Sequence, residues 1–330
     1  MKKSKADRND YSCKVMTDFH VSIVGGGSVG LCLAANFAIA GAKVSLLVRK
    51  ASLASLEGQS VIVSGMLGEH RTEPGQVFLC DAAAPSDEVL TSDMLVLTTK
   101  AYDVATALEP FASAPSCPPV LLLQNGMGSA EIARKILGEK VSTFSSAMMI
   151  GMERTSPNSV HVAAQASPIQ CGPLLGDDPA PLQRLIDCAE QGFVPMTVDP
   201  NIRETIAFKL LFNCCMNPTG AMTGQTYGEL LADPNSRALI VDLADEALAA
   251  FAAAFDYHPA TSGQHYVDDI LTPIVVPRGE GHRSSMLQDL QSGRKTEIDF
   301  LNGAIIDLSE QNGLDAVRHK MLTQLIKASE

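Results

Sequence analysis

The pattern Gly25-x-Gly27-x-x-Gly30 follows directly on the apolar run His20-Val-Ser-Ile-Val24 and opens a second apolar stretch, Ser28 to Ala40. No other feature of the chain limits its fold so strongly. A strand that ends in a glycine turn and feeds a helix starts a βαβ unit. The first glycine permits the turn, the second lets a pyrophosphate approach the backbone, and the third lets helix and strand pack closely. Gly41 stops the helix, and Lys43 to Val48 reads as the next strand. Amides around Ser28 and Val29 would hold the pyrophosphate at the positive end of the helix dipole, with Gly25, Gly26, Gly27 and Gly30 shaping the turn. The plainer alternative is a glycine-rich turn that binds nothing. The apolar stretch Val21 to Val48 is long enough to cross a membrane, but the glycines and Lys43 within it favour a buried strand, turn, helix and strand.

A chain of 330 residues has room for about two domains. The net charge of −12, with no dense basic run, argues against partners that are nucleic acids or anionic membranes. Eight scattered cysteines without a CxxC pair fit a reducing, cytoplasmic setting and no structural metal. Residues 1–20 are polar and charged and read as a flexible extension rather than a signal peptide. Nothing in the sequence specifies an oligomeric state, and a homodimer is compatible with it.

Residues 21–200 read as an α/β nucleotide-binding domain of the Rossmann type. Ser60 to Val63 and Gln76 to Leu79 are expected to pair as a hairpin. The apolar runs Met94 to Thr98 and Val120 to Leu123 end in the polar loops Thr99-Lys100 and Gln124-Asn125-Gly126. Such loops fall at the carboxyl edge of a parallel sheet, where open α/β sheets bind ligands. Residues 201–330 change character. Apolar positions recur at helical spacing over Ile206 to Met216, Arg237 to Phe255, Tyr266 to Leu271, Ser284 to Leu290, Glu297 to Glu310 and Ala316 to Ala328, which predicts an all-helical second domain.

An NAD-binding fold usually carries an acidic residue about 20 positions beyond the glycine turn, against the ribose 2′-hydroxyl. Here that position is Arg49, followed by Lys50. A guanidinium would attract a 2′-phosphate and no carboxylate would repel it, so NADPH is favoured; otherwise Arg49 is a solvated strand-end charge.

Within Phe208 to Asn217, the strongly polar side chains Lys209, Asn213 and Asn217 stand four residues apart and share one helix face. A lysine there needs a polar partner, which a substrate carboxylate and carbonyl would supply; the alternative is a polar stripe that meets water. Ser284 or Ser285 caps a later helix, and Glu297 opens the next one facing either solvent or a cleft.

Taken in order, several segments resemble the ketopantoate reductases, the NADPH-dependent enzymes of pantothenate and coenzyme A synthesis. These are Gly25 to Gly30, Thr99-Lys100-Ala101, Gln124-Asn125-Gly126-Met127-Gly128, Lys209-Leu210 with Asn213 and Asn217-Pro218, Ser284-Ser285-Met286, and Thr296-Glu297-Ile298-Asp299 with Asn302-Gly303. The resemblance runs from Val21 to about Ala328. It implies that Lys209 is the general acid that protonates the ketone, and that Glu297 binds the resulting hydroxyl and the nicotinamide side of the cofactor. It further implies that Lys100 and Asn125 contact the cofactor and that Asn213, Asn217 and Ser285 contact a 2-keto acid. The chain departs from the family at Tyr227 and His282, where asparagine is common, and in Ser145-Ser146-Ala147, where the family has Gly-Thr-Thr. The departures leave open a related reductase of another branched 2-keto acid. A non-catalytic NADP(H) sensor is the remaining alternative, although it has no use for Lys209 with Glu297.

Overall fold

The computed structural model describes residues 18–330, apart from the side chains of 275–278. Most of the expected N-terminal extension, residues 1–17, lies outside the described residues, whereas Phe19 is already buried and His20 opens the first strand. The first half begins β1 (His20–Val24), α1 (Ser28–Ile39), β2 (Lys43–Val48), α2 (Lys50–Leu56), β3 (Ile62–Gly65) and β4 (His70–Arg71). It continues with β5 (Val77–Asp81), α3 (Asp87–Leu90), β6 (Met94–Leu97), α4 (Val104–Ala112), β7 (Val120–Leu122) and α5 (Ser129–Leu137). The last elements of this half are β8 (Thr143–Ala147), β9 (Ile150–Ser156), β10 (Ser159–Gln165), β11 (Ile169–Gly172), α6 (Ala180–Ala189) and β12 (Met196–Val198).

Eight of these strands form one sheet in the order β12-β11-β8-β7-β6-β1-β2-β5, parallel throughout except where β8 meets β11. Its central strands read as unbroken apolar runs because both faces are covered: every residue of β6 and β7 is buried. Val21 pairs with Val44 of β2 on one side and Met94 of β6 on the other. The chain therefore winds outward from β1 to β2 and then crosses back to β6. This reversal opens a crevice beyond the carboxyl ends of those strands, and the glycine turn lies in it.

The expected hairpin does not form. β5 extends the main sheet parallel to β2, while β3 pairs with the short β4 and with β10 in a second sheet, β4-β3-β10-β9. The alternation of side chains in these segments encodes burial on a face, which two different sheets satisfy equally well. The second sheet also explains α1. That helix is apolar on nearly every side, and Val63, Val160 and Val162 of the second sheet share one core cluster with it and with β1. Among the described residues, no helix is long and apolar enough to cross a membrane.

The second half is helical: α7 (Ile202–Thr223), α8 (Tyr227–Ala232), α9 (Pro234–Phe255), α10 (Gly263–His265), α11 (Thr272–Gly279), α12 (Ser285–Gln291), α13 (Ile298–Gln311) and α14 (Val317–Ser329). The expected helix at Tyr266–Leu271 is a π-helical turn between α10 and α11. Buried residues of α7, α9, α13 and α14 form the core of this half, and α7 runs through its centre.

Candidate active site

A cleft of about 1820 Å³ separates the carboxyl edge of the main sheet from the helical half and is lined from both. Its floor is the glycine turn. Gly25 has φ +117°, and a Cβ there would lie 2.7 Å from Thr98 Oγ1. The Thr98 hydroxyl contacts the carbonyls of Val24 and Gly25 at 3.0 Å each, which ties the end of β6 to the turn. A Cβ on Gly30 would fall 1.8 Å from the Gly25 carbonyl oxygen, so this glycine is required for packing and lies behind the cleft wall. Gly26 packs against Val48.

Gly27 is different, because a Cβ there would meet nothing within 4 Å. No protein neighbour demands glycine at this exposed cleft position, so its bare backbone suits close approach by a ligand. Gly27 is also the N-cap of α1 and offers no side chain to the first amides of the helix, those of Ser28 and Val29. Arg49, exposed at the end of β2, lines the same cleft. The residues present therefore fit the pyrophosphate and 2′-phosphate of a dinucleotide.

At the other end of this floor the two halves meet in a chain of polar contacts. Lys209 Nζ donates to Asn125 Oδ1 at 2.8 Å, and Asn125 Nδ2 donates to Glu297 Oε2 at 3.2 Å. The second oxygen of Glu297 accepts the backbone N–H of Ala101 at 3.0 Å. Lys100 Nζ lies 3.6 Å from Glu297 and donates to Asp289 Oδ2 at 2.7 Å, while Arg294 Nε donates to Asp289 Oδ1 at 2.9 Å. Glu297 is thus buried against the cleft and not turned to solvent.

The two lysines are driven in opposite directions. Burial lowers the Lys209 pKa to about 8 despite the opposing pull of the Glu297 carboxylate. Burial also works against the charge of Lys100, but Glu297 and Asp289 together outweigh it and its pKa is raised. The site therefore holds one amine firmly charged and one that can give up its proton near neutrality.

The loop carrying Asn125 is placed by local backbone demands. Gln124 Nε2 bridges the carbonyls of Leu97 and Thr99, joining the ends of β6 and β7. Gly126 has φ +84° and lies so close to α13 that a Cβ would meet the Phe300 carbonyl oxygen at 2.0 Å. Met127 N donates to that same oxygen at 3.0 Å.

Farther along the cleft, α7 presents Asn213 and Asn217, both buried, in line with Lys209. Asn217 Oδ1 accepts the Tyr227 hydroxyl at 2.9 Å. Ser284 is the cap of α12, its hydroxyl accepting Leu287 N at 3.1 Å, which leaves Ser285 exposed on the cleft. Of the residues assigned a cofactor, substrate or catalytic role from sequence, all but Gly30 line the cleft.

Asp289 and Thr98 received no role from the sequence. Asp289 carried a usable signal, an acid set among Met286, Leu287 and Leu290 and therefore in need of a partner if buried; it is 4% exposed. Thr98 carried none, because its task is fixed by strand pairing.

A glycine turn at the switch point of a parallel sheet, closed over by a helical half that contributes a lysine and a carboxylate, is the build of a two-domain oxidoreductase. Residues 21–176 match the family model described as Ketopantoate reductase PanE/ApbA, and residues 201–330 match its C-terminal counterpart. The chain belongs to the ketopantoate reductase family. A 2-dehydropantoate 2-reductase of Aquifex aeolicus (strain VF5) is 27% identical over 312 residues, covering 93% of this chain and 96% of that protein. One from Vibrio cholerae serotype O1 is 27% identical over 321 residues, covering 94% and 98%. Among solved structures, a 2-dehydropantoate 2-reductase from Geobacter metallireducens GS-15 superposes with a TM-score of 0.82 at 24% identity, covering 94% of this chain and all (100%) of that one. D-mandelate dehydrogenase with NADH and anilino(oxo)acetate gives a TM-score of 0.82 at 20% identity, covering 94% and 98%, and so shares the fold.

Proposed function

We propose that this protein reduces 2-dehydropantoate to pantoate with NADPH, the step that would place it in pantothenate and coenzyme A synthesis. The observation that carries this reading is the contact chain Lys209–Asn125–Glu297, which joins an amine of the helical half to the edge of the nucleotide-binding sheet. NADPH, held along the glycine turn with Arg49 against its 2′-phosphate, supplies the hydride. The remaining chemistry belongs to side chains of the protein. Asn213, Asn217 and Ser285 bind the 2-keto acid and turn its ketone toward Lys209. The Lys209 ammonium stabilises the negative charge that develops on the ketone oxygen and delivers its proton there. Glu297 opposes loss of charge from Lys209 and accepts the new hydroxyl. Lys100 and Asn125 hold the nicotinamide end of the cleft in register.

A domain division near residue 200 accompanies this reading, with nucleotide bound by residues 21–200 and substrate by residues 201–330. The seven cysteines among the described residues are unpaired, which supports a reducing, cytoplasmic setting. A homodimer is the assembly proposed. One structural neighbour is a dimeric ketopantoate reductase from Staphylococcus aureus, and Val317, Met321 and Leu325 of α14 leave an exposed apolar stripe.

The test is NADPH consumption with 2-dehydropantoate, with NADH run in parallel, for the wild type and for Lys209→Ala and Glu297→Ala. Turnover with NADPH that falls at least a hundredfold in Lys209→Ala is the expected result. Wild-type turnover in both variants would refute the assigned roles.

A further inference from the structure

Glu297 stands at the N-cap of α13, with φ −95° and ψ 23°, and makes no side-chain bond to its own helix. A carboxylate at the start of a helix is attracted to the free amides there, and a turn of this one toward them would take it out of the cleft. Instead its two oxygens reach the other half of the molecule, one to Ala101 N at 3.0 Å and one to Asn125 Nδ2 at 3.2 Å. The first helical amide, Ile298 N, donates to Thr296 Oγ1 at 3.3 Å. The residue before Glu297 therefore serves the amide and leaves the Glu297 carboxylate free for the cleft.

Thr296 is held in turn from α14. Glu330, directly beyond Ser329, accepts through Oε1 both the backbone N–H of Thr296 at 2.8 Å and its hydroxyl at 2.7 Å. With its proton given to Glu330, the hydroxyl keeps its lone pairs for Ile298 N. Thr296 is 2% exposed, so removal of Glu330 would leave a buried hydroxyl and a buried amide without their acceptor. A second contact between the same two helices, Lys327 with Asp299, lies outside the cleft lining. We propose that Glu330 is a positioning residue, which acts through Thr296 to keep the Glu297 carboxylate turned into the cleft. The proposal rests on the role given to Glu297 in the 2-keto acid reduction proposed above.

The test records kcat and the pH profile of kcat/KM for 2-dehydropantoate with NADPH, in the wild type and in Glu330→Ala, Glu330→Gln and Lys327→Met. A misplaced Glu297 aligns the site less well and opposes loss of charge from Lys209 less. Glu330→Ala is expected to lose about tenfold or more in kcat, and its alkaline decline should begin about half a pH unit below that of the wild type. Glu330→Gln keeps an acceptor oxygen and drops the charge, so it should restore kcat to within about threefold and return the decline to its place. Lys327→Met, which breaks only the second contact, should leave both unchanged. Glu330 is exposed, so its replacement by alanine is compatible with folding; Thr296→Val and Thr296→Ser probe the same link from the other side, the first expected to move the decline and the second to keep it. Wild-type kinetics in Glu330→Ala, a loss at every pH alike with the decline unmoved, or a glutamine variant as impaired as the alanine one each overturns the proposal and leaves the proposed reaction standing. A wild type that reduces no 2-keto acid defeats the reaction itself and this proposal with it.

Discussion

Lys209 and Lys100 show how far neighbours alone can separate two side chains of one type. Lys209 faces the neutral amide of Asn125, with Glu297 one contact farther on, so burial prevails and its pKa falls to about 8. Lys100 touches carboxylates directly and stays charged. A general acid acts only while protonated, so a lowered folded pKa brings the loss of activity to a lower pH. The expected kcat/KM profile is level at neutral pH and falls as pH rises through about 8, well before an ordinary lysine would titrate. Glu297→Gln removes the one influence that raises this pKa and should move the fall to still lower pH in whatever activity remains. A wild-type profile that declines only in the ordinary lysine range would show that Lys209 is not the titrating acid.

Elements carry a different kind of information. β1, β2, β6 and β7 were legible in the sequence because a strand covered on both faces reads as a continuous apolar run, and the glycine pattern dictated the turn and helix after β1. The row Lys209, Asn213 and Asn217 was legible because helical spacing alone puts the three on one face. The partner of β5 was not, since a pattern records that a face is buried and leaves the covering element unnamed. The docking of the Asn125 loop was equally hidden, because it depends on a carbonyl in α13 that is far away in sequence. That docking can be tested by comparing two glycines. Gly126 and Gly138 both have positive φ, +84° and +82°, but only Gly126 has protein in the way of a Cβ. Each substitution to alanine should cost about 1–3 kcal/mol for left-handed backbone and lower the melting temperature. Gly126→Ala should in addition push α13 away from Asn125 and reduce kcat at least tenfold, while Gly138→Ala keeps wild-type turnover. Equal kcat in the two variants would mean that the loop contact does not position the site.

For the molecule as a whole, the seam between the halves and the reactive centre are built from the same groups. The contacts of Lys209 with Asn125, of Glu297 with Ala101, and of Lys100 with Asp289 each join one half to the other. Separating the halves would break all three, so the network is complete only when the cleft is closed. Asp289 reaches the proposed proton transfer only through Lys100, and its position gives a way to test the coupling. With Asp289→Asn, the Lys100 ammonium loses its nearest anion and is left with Glu297. A closer Lys100 would neutralise more of the Glu297 charge and weaken the influence that raises the Lys209 pKa. The expected result is a fall in kcat/KM of about tenfold, together with an alkaline decline that begins at lower pH than in the wild type. Asp299→Asn is the control. It removes an ion pair with Lys327 between α13 and α14, outside the cleft lining, and should leave the profile in place. Simple loosening of the fold by Asp289→Asn would lower the rate at every pH alike. Only a shift of the decline itself shows that the tether between the halves acts on the acid.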